Sequence, residues 1–210
     1  MNRAELKSKA KQQIKGKIGI LFVITLVIGV VSAVVGFVLG LIPYVGPIAA
    51  AIIVTPAFAL SIVRVYLMVV AGKTPEVKDA FCGFDDFWSA FKVTFLVSLY
   101  TFLWSLLFVI PGIIKSFAYS MSFYILAENP GKSARECIKE SVDMTNGHKG
   151  ELFVLSLSFI GWELLGCITF GIAYIWVVPY VYATYVNVYH SLKPVVNVSA
   201  EPEVIDETAE

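Results

Sequence analysis

Apolar residues run along this chain for stretches longer than a soluble helix can bury. Ile18–Ile42 carries no charge, and Pro47–Ala71 carries one, Arg64. Crossing about 30 Å of hydrocarbon takes about 20 apolar residues in a helix, so each stretch predicts a transmembrane span. Pro43-Tyr44-Val45-Gly46-Pro47 has the punctuation of a tight turn between them. Phe91–Ile110 is a third span, ended by Pro111-Gly112. Ile113–Ala127 is a shorter fourth with Lys115 inside it. Leu152–Thr169 is a fifth, containing Glu163, and Ile172–Leu192 a sixth. The sixth holds Pro179, which helices in lipid tolerate. Tyr174, Trp176, Tyr180, Tyr182, Tyr185 and Tyr189 run through it, residue types favoured where membrane meets water. The pattern predicts an all-α, polytopic membrane helical bundle of about six spans, within an integral membrane domain of residues 1–193.

The polar connections carry a second period. Ser133-Ala134-Arg135-Glu136 reads as a capping box. Ala134, Cys137, Ile138, Ser141 and Val142 then share one helical face, with Gly147 as a stop. Thr74 is a candidate N-cap with Pro75 at the first helical position, and Val77, Ala80, Phe81 and Phe84 form an apolar stripe. The first residues put Leu6, Ala10 and Ile14 on one face of a basic helix. Such amphipathic helices are expected to lie in the membrane interface, apolar side down.

Composition sharpens this picture. Apolar residues make up 58% and charged ones 15%, against roughly 45–50% and about 25% in soluble domains. The polar shell of a soluble protein is missing. Net charge is zero, yet placement is strongly biased. Arg3, Lys7, Lys9, Lys11, Lys15 and Lys17 precede the first span. Lys73, Lys78 and Lys92 flank the second connection, Lys132, Arg135, Lys139 and Lys149 the fourth, and Lys193 follows the last span. All of these fall on one side of an alternating six-span path, leaving Arg64 and Lys115 inside spans. The positive-inside rule makes that side, and both termini, cytoplasmic in a cell membrane. Residues 194–210 are acidic and poor in large apolar groups, which predicts a disordered cytoplasmic tail. Ile18–Ile42 is too long for the apolar core of a cleaved signal peptide and is read as retained. Cys82, Cys137 and Cys167 are far apart, so no disulfide framework is expected.

Three strings share a pattern: Leu21-Phe22-Val23-Ile24-Thr25-Leu26, Thr94-Phe95-Leu96-Val97-Ser98-Leu99 and Leu152-Phe153-Val154-Leu155-Ser156-Leu157. A shift of 58 also pairs Asp85 with Asp143 and Trp104 with Trp162. Apolar segments match one another easily. Shared position within each unit nonetheless suggests three hairpin repeats, each an interfacial helix followed by two spans.

Charge within a span is costly and marks candidate functional positions. Arg64, Lys115 and Glu163 qualify. Lys115 and Glu163 fall near the outer leaflet and could pair there or reach the headgroups separately. Arg64 lies deeper and needs an acceptor, for which Glu128 is a candidate; a structural ion pair outweighs a substrate ligand. His148 and His190 have no partner at metal-ligand spacing. There is no P-loop, dinucleotide glycine pattern or H-E-x-x-H motif. No catalytic, cofactor-binding or metal site is therefore predicted, and no cofactor. Asp85-Asp86 is read as the start of the third span's helix, where negative charge suits the dipole. The basic N-terminal residues predict contact with anionic lipid at about 1 kcal/mol each. A nucleic-acid partner is not expected, because the cluster lacks interleaved aromatics.

Ile110-Pro111-Gly112-Ile113-Ile114-Lys115, Ala127-Glu128-Asn129-Pro130, Ser133-Ala134-Arg135-Glu136-Cys137-Ile138, Gly147-His148-Lys149 and Ser158-Phe159-Ile160-Gly161-Trp162 resemble a known family. It is the bacterial integral membrane family catalogued as domain of unknown function 975, and the resemblance covers roughly residues 1–192. The chain is also distantly similar to the membrane domain attached to some glycerophosphodiester phosphodiesterases. The resemblance implies a membrane protein, found mainly in Gram-positive bacteria, with no established catalytic residues. It places Lys115, Glu128, His148 and Trp162 on motif positions.

Three functions remain open: a non-enzymatic scaffold, sensor or accessory protein acting on lipid or a membrane partner; a transporter or channel; and an accessory domain to a lipid-modifying enzyme. A continuous polar path would favour the second, and a polar cluster at one leaflet with room for a headgroup the third.

Overall fold

The computed structural model describes residues 2–42 and 45–193. Pro43 and Tyr44 of the first expected turn, and the expected acidic tail from 194 to 210, lie outside the described residues. Among those described the fold is all-α. Nine α-helices follow in order: α1 Arg3–Ile14, α2 Ile18–Gly40, α3 Val45–Val70, α4 Phe87–Leu107, α5 Val109–Tyr119, α6 Ser122–Glu128, α7 Ala134–Met144, α8 Lys149–Ile168 and α9 Tyr174–Leu192. A short 3-10 helix, Val77–Phe81, lies between α3 and α4.

Among the described residues five runs are long and apolar enough to cross a membrane: Ile18–Gly40, Ile52–Val70, Phe87–Leu107, the α5–α6 run Val109–Glu128, and Lys149–Ile168. Large apolar side chains such as Val34, Phe37, Leu103, Leu107 and Leu164 stand exposed on them. Water would penalise that surface at about 25 cal/mol per Å², whereas acyl chains carry no such penalty. The expected sixth span does form a helix, α9, but is not one of the five. Its tyrosines, Asn187 and His190 lower its apolarity. It is buried instead against other helices, through Val177, Ala183, Val186, Val188 and Tyr189 among others. Tyr182 stacks on Tyr66 of α3 at 5.0 Å.

The expected break at Pro111-Gly112 falls elsewhere. Phe108 alone, in extended backbone, joins α4 to α5. Pro111 sits in the first turn of α5, where a missing N–H leaves no bond unmade. A second break at Ser120-Met121 divides the fourth span into α5 and α6. A broken helix in lipid needs partners for its freed backbone groups. Ser141 of α7 supplies both: its Oγ donates to the Ala118 carbonyl at 2.7 Å and accepts from the Met121 N–H at 3.1 Å.

This corrects the expected role of the amphipathic helices. The capping box at Ser133 and Glu136 forms, and Ala134, Cys137, Ile138 and Ser141 are buried on one face. Gly147 follows α7 at φ 80°. That face packs on α4, α5 and α6 rather than on lipid. The α1 face of Leu6, Ala10 and Ile14 is likewise buried in the core, against α9 and α3. An apolar stripe of three or four side chains gains the same burial from protein as from acyl chains. In the connection after α3 the cap is Glu76, in a reciprocal box with Asp79, not Thr74. Of that stripe only Ala80 is buried, while Val77, Phe81 and Phe84 are exposed.

The three recurrent strings lie in α2, α4 and α8. The end where α2 begins and α3 and α9 finish gathers Lys17, Lys73, Glu128 and Lys193, and is here termed the basic end. Lys17 Nζ donates there to the Lys73 and Val69 carbonyls, at 2.7 and 3.4 Å. This places positive charge on the C-terminal dipole of α3.

Candidate functional site

The basic end holds a cavity of about 450 Å³ lined by Arg64, Met68, Lys73, Asp79, Glu128 and His190, among others. One wall is built on α3. Gly83 approaches that helix so closely that a Cβ would lie 2.0 Å from the Ala57 carbonyl oxygen. Its N–H donates to Ser61 Oγ at 2.8 Å. This contact delivers the Cys82 carbonyl to Arg64, whose Nη1 donates to it at 2.6 Å. Nη2 of Arg64 pairs with the Asp86 carboxylate. Arg64 therefore ties α3 to the loop and to the N-cap position of α4 at once. Burial pushes the Cys82 thiol above its usual value, with the Arg64 charge opposing.

The opposite wall is built on α6 and α9. Glu128, the last residue of α6, accepts from Tyr189 Oη at 2.8 Å and from Lys193 Nζ. His190 Nε2 lies 3.7 Å from its other oxygen. Tyr189 is fixed by stacking on Tyr124 at 5.5 Å. The cavity thus presents Arg64, Lys73 and Asp79 on one side and Glu128 with His190 on the other. The expected Arg64–Glu128 pair is corrected: both face the cavity, but Arg64 belongs to Asp86, the nearer group along the chain, and Glu128 to α9. Among the described residues no cluster of three or more His, Cys, Asp or Glu has the arrangement of a metal site.

The other expected positions scatter. Lys115 lies over the Trp104 ring at 4.7 Å and is not ion-paired with Glu163. The Glu163 backbone carbonyl accepts from Tyr174 Oη at 3.3 Å. His148, at the N-cap position of α8, bonds Glu151 at 2.9 Å. Trp162 lines a separate groove with Lys11, Ile14, Trp176 and Tyr180. On α1, Arg3, Lys9 and Lys11 are exposed, as is Lys15 just after it, with Lys9 paired to Glu5. Lys7 donates to Ser158 Oγ at 2.7 Å and lies over the Phe159 ring. Partial burial, then the Arg3 and Lys11 charges, hold Lys7 below the ordinary lysine value.

Sequence reasoning placed Asp86 at the start of α4, as found, but missed its pairing with Arg64, the Glu128 contacts of Tyr189 and Lys193, and the Gln13–Asn187 amide pair, bonded at 2.7 and 3.3 Å. Asn187 carried a signal, being a lone amide in an apolar stretch. Asp86 gave a helix-start signal but none for its pairing with Arg64, since any acidic residue suits a helix start.

Long apolar helices with exposed greasy faces and a charged end make this an all-α, multi-pass membrane protein. The chain belongs to the family described as "Protein of unknown function (DUF975)", which it matches over residues 1–116 and 106–195. No curated protein and no solved structure matches it.

Proposed function

We propose that this is a non-enzymatic protein of the cell membrane, its basic end and both termini cytoplasmic. It acts as a scaffold, sensor or accessory protein by holding a phospholipid headgroup in the cavity at that end. The observation that carries the reading is the two-signed cavity between Arg64, Lys73 and Glu128, set where the helices leave the apolar region. Lys73 suits a phosphate, and Glu128 suits an ammonium or hydroxyl. The exposed cations of α1 support attraction to anionic lipid at the same face. A headgroup-sized cluster at one leaflet equally favours an accessory role to a lipid-modifying enzyme, which makes such an enzyme a candidate membrane partner.

The test is native mass spectrometry of protein released from lipid nanodiscs, with extraction and identification of retained lipid. Wild type is expected to keep a phospholipid adduct that Lys73→Ala and Glu128→Gln lose. Equal retention by all three proteins would overturn the reading. A lipid-modifying enzyme that co-purifies in stoichiometric amount would decide for the accessory role.

A further inference from the structure

A hairpin that crosses the bilayer places its turn at the far face, about 30 Å from its start. The α8–α9 hairpin does not meet that geometry. Gly171, Tyr174 and Ile175, at and just after its turn, share a small pocket with Phe22 and Thr25 of α2. Those two residues lie about 6 and 10 Å along α2 from its start at the basic end, at 1.5 Å per residue. The other end of α2, at Gly40, lies about 33 Å along the same axis. The third hairpin therefore turns beside the beginning of α2. Its arms are held together there by Gly166, where a Cβ would lie 2.5 Å from the Tyr174 ring. Pro179, inside α9, removes one helical bond and supplies a natural bend just after the turn.

Two charges give the same answer. Lys7 lies over Phe159 at 4.4 Å, and Lys11 over Tyr180 at 5.4 Å. Phe159 is about 15 Å along α8 from Lys149, and Tyr180 about 20 Å along α9 from Lys193. In arms running straight across the bilayer, both ammonium groups would sit in mid-hydrocarbon, at a cost of about 3 kcal/mol each even on the mildest scale. In arms lying obliquely, both sit at headgroup depth. Trp162 and Trp176 flank Lys11 and are 43% and 55% exposed. Exposed tryptophan beside lysine is the composition of an interface. At the turn Phe170 is 99% exposed and Ile172 64%, which suits acyl chains and not water.

We propose that the α8–α9 hairpin does not cross the bilayer: it lies obliquely in the leaflet at the basic end, Lys11, Trp162 and Trp176 at the headgroups and Phe170 among the acyl chains. This rests on the chain being a membrane protein but not on the cavity binding a lipid. The lipid-crossing elements are then α2, α3, α4 and the α5–α6 run, an even number that keeps both termini on one side. Glu163 is thereby placed near solvent at the near face and does not require a partner in hydrocarbon.

The test is cross-linking in native membranes, with Cys82→Ser, Cys137→Ala and Cys167→Ser as background. The pair Phe22→Cys with Ile175→Cys is expected to cross-link at least tenfold more than Leu41→Cys with Ile175→Cys. The reverse preference would overturn the proposal. Protein retaining only the native Cys167 supplies a second reading, since it leaves the hairpin unaltered. In sealed vesicles a membrane-impermeant maleimide applied to the face that labels Leu41→Cys is expected to leave Cys167 unmodified. Modification from that face would show a crossing hairpin.

Discussion

Arg64 is held at two points, by the Cys82 carbonyl and by Asp86. Only the planar guanidinium fork can serve both, so Arg64→Lys is expected to be costly despite keeping its charge. A double-mutant cycle of Arg64→Gln and Asp86→Asn, read by unfolding in detergent, is expected to give a coupling of about 1–3 kcal/mol. Strict additivity would show that the two groups do not act together. Cys137 makes a second prediction at this scale. It is fully buried, and burial pushes its thiol up to about 11. At pH 8 about one in a thousand such thiols is ionised, and the thiolate is the reactive form. A water-soluble maleimide is therefore expected to modify Cys137 only after denaturation, as mass mapping of the labelled peptides would reveal.

At the scale of elements, α7 matters through what it does for a neighbour. Ser141→Ala strands the Ala118 carbonyl and the Met121 N–H at the α5–α6 break, leaving only the Thr145 hydroxyl, 3.3 Å away, for the carbonyl. The expected loss is about 1–3 kcal/mol, with faster hydrogen exchange at Met121. Lys139→Ala, on the exposed face of α7, is expected to change stability by less than about 0.5 kcal/mol. The start of α7 is pH-sensitive. The Glu136 carboxylate accepts the Ser133 N–H at 2.8 Å, and that bond holds its pKa below the ordinary 4.5. A depressed carboxylate stabilises the fold above its unfolded value, and this is lost as pH falls through the folded value. The first amides of α7 are thus expected to lose protection in that acid range, after correction for intrinsic exchange, and Glu136→Gln to abolish the change.

For the molecule as a whole, α1 is part of the bundle and not an appendage. It buries Leu6, Ala10 and Ile14 and completes the hydrogen bonds of Asn187, itself 7% exposed. Deleting residues 2–14 uncovers α9. At about 1.5–3 kcal/mol for each large side chain, the loss of Leu6 and Ile14 is about 3–6 kcal/mol, or roughly 10 °C in Tm. Thermal unfolding in detergent, with protease sensitivity of α9, measures it; unchanged values in both would mean that α1 merely rests on the surface.

The linear pattern alone determined that the long apolar stretches are helical, that five of the six expected spans are long and apolar enough to enter a membrane, and where α7 begins. Each of these depends on residues within a few turns of one another. Hydrocarbon offers the backbone no partner, so a long apolar stretch must satisfy itself as a helix. The Ser133–Glu136 cap closes within four residues. Tertiary structure alone decided that Arg64 belongs to Asp86 and Glu128 to Tyr189 and Lys193. It also decided that α1 and α7 spend their apolar faces on protein, and that α9, whose own polar residues already lower its apolarity, buries Val177, Ala183, Val186 and Tyr189 against other helices. Those outcomes turn on groups as far as 174 residues apart. A charge needs an opposite charge and an apolar stripe needs any dry surface, and which of several candidates comes within reach is set by how the helices cross.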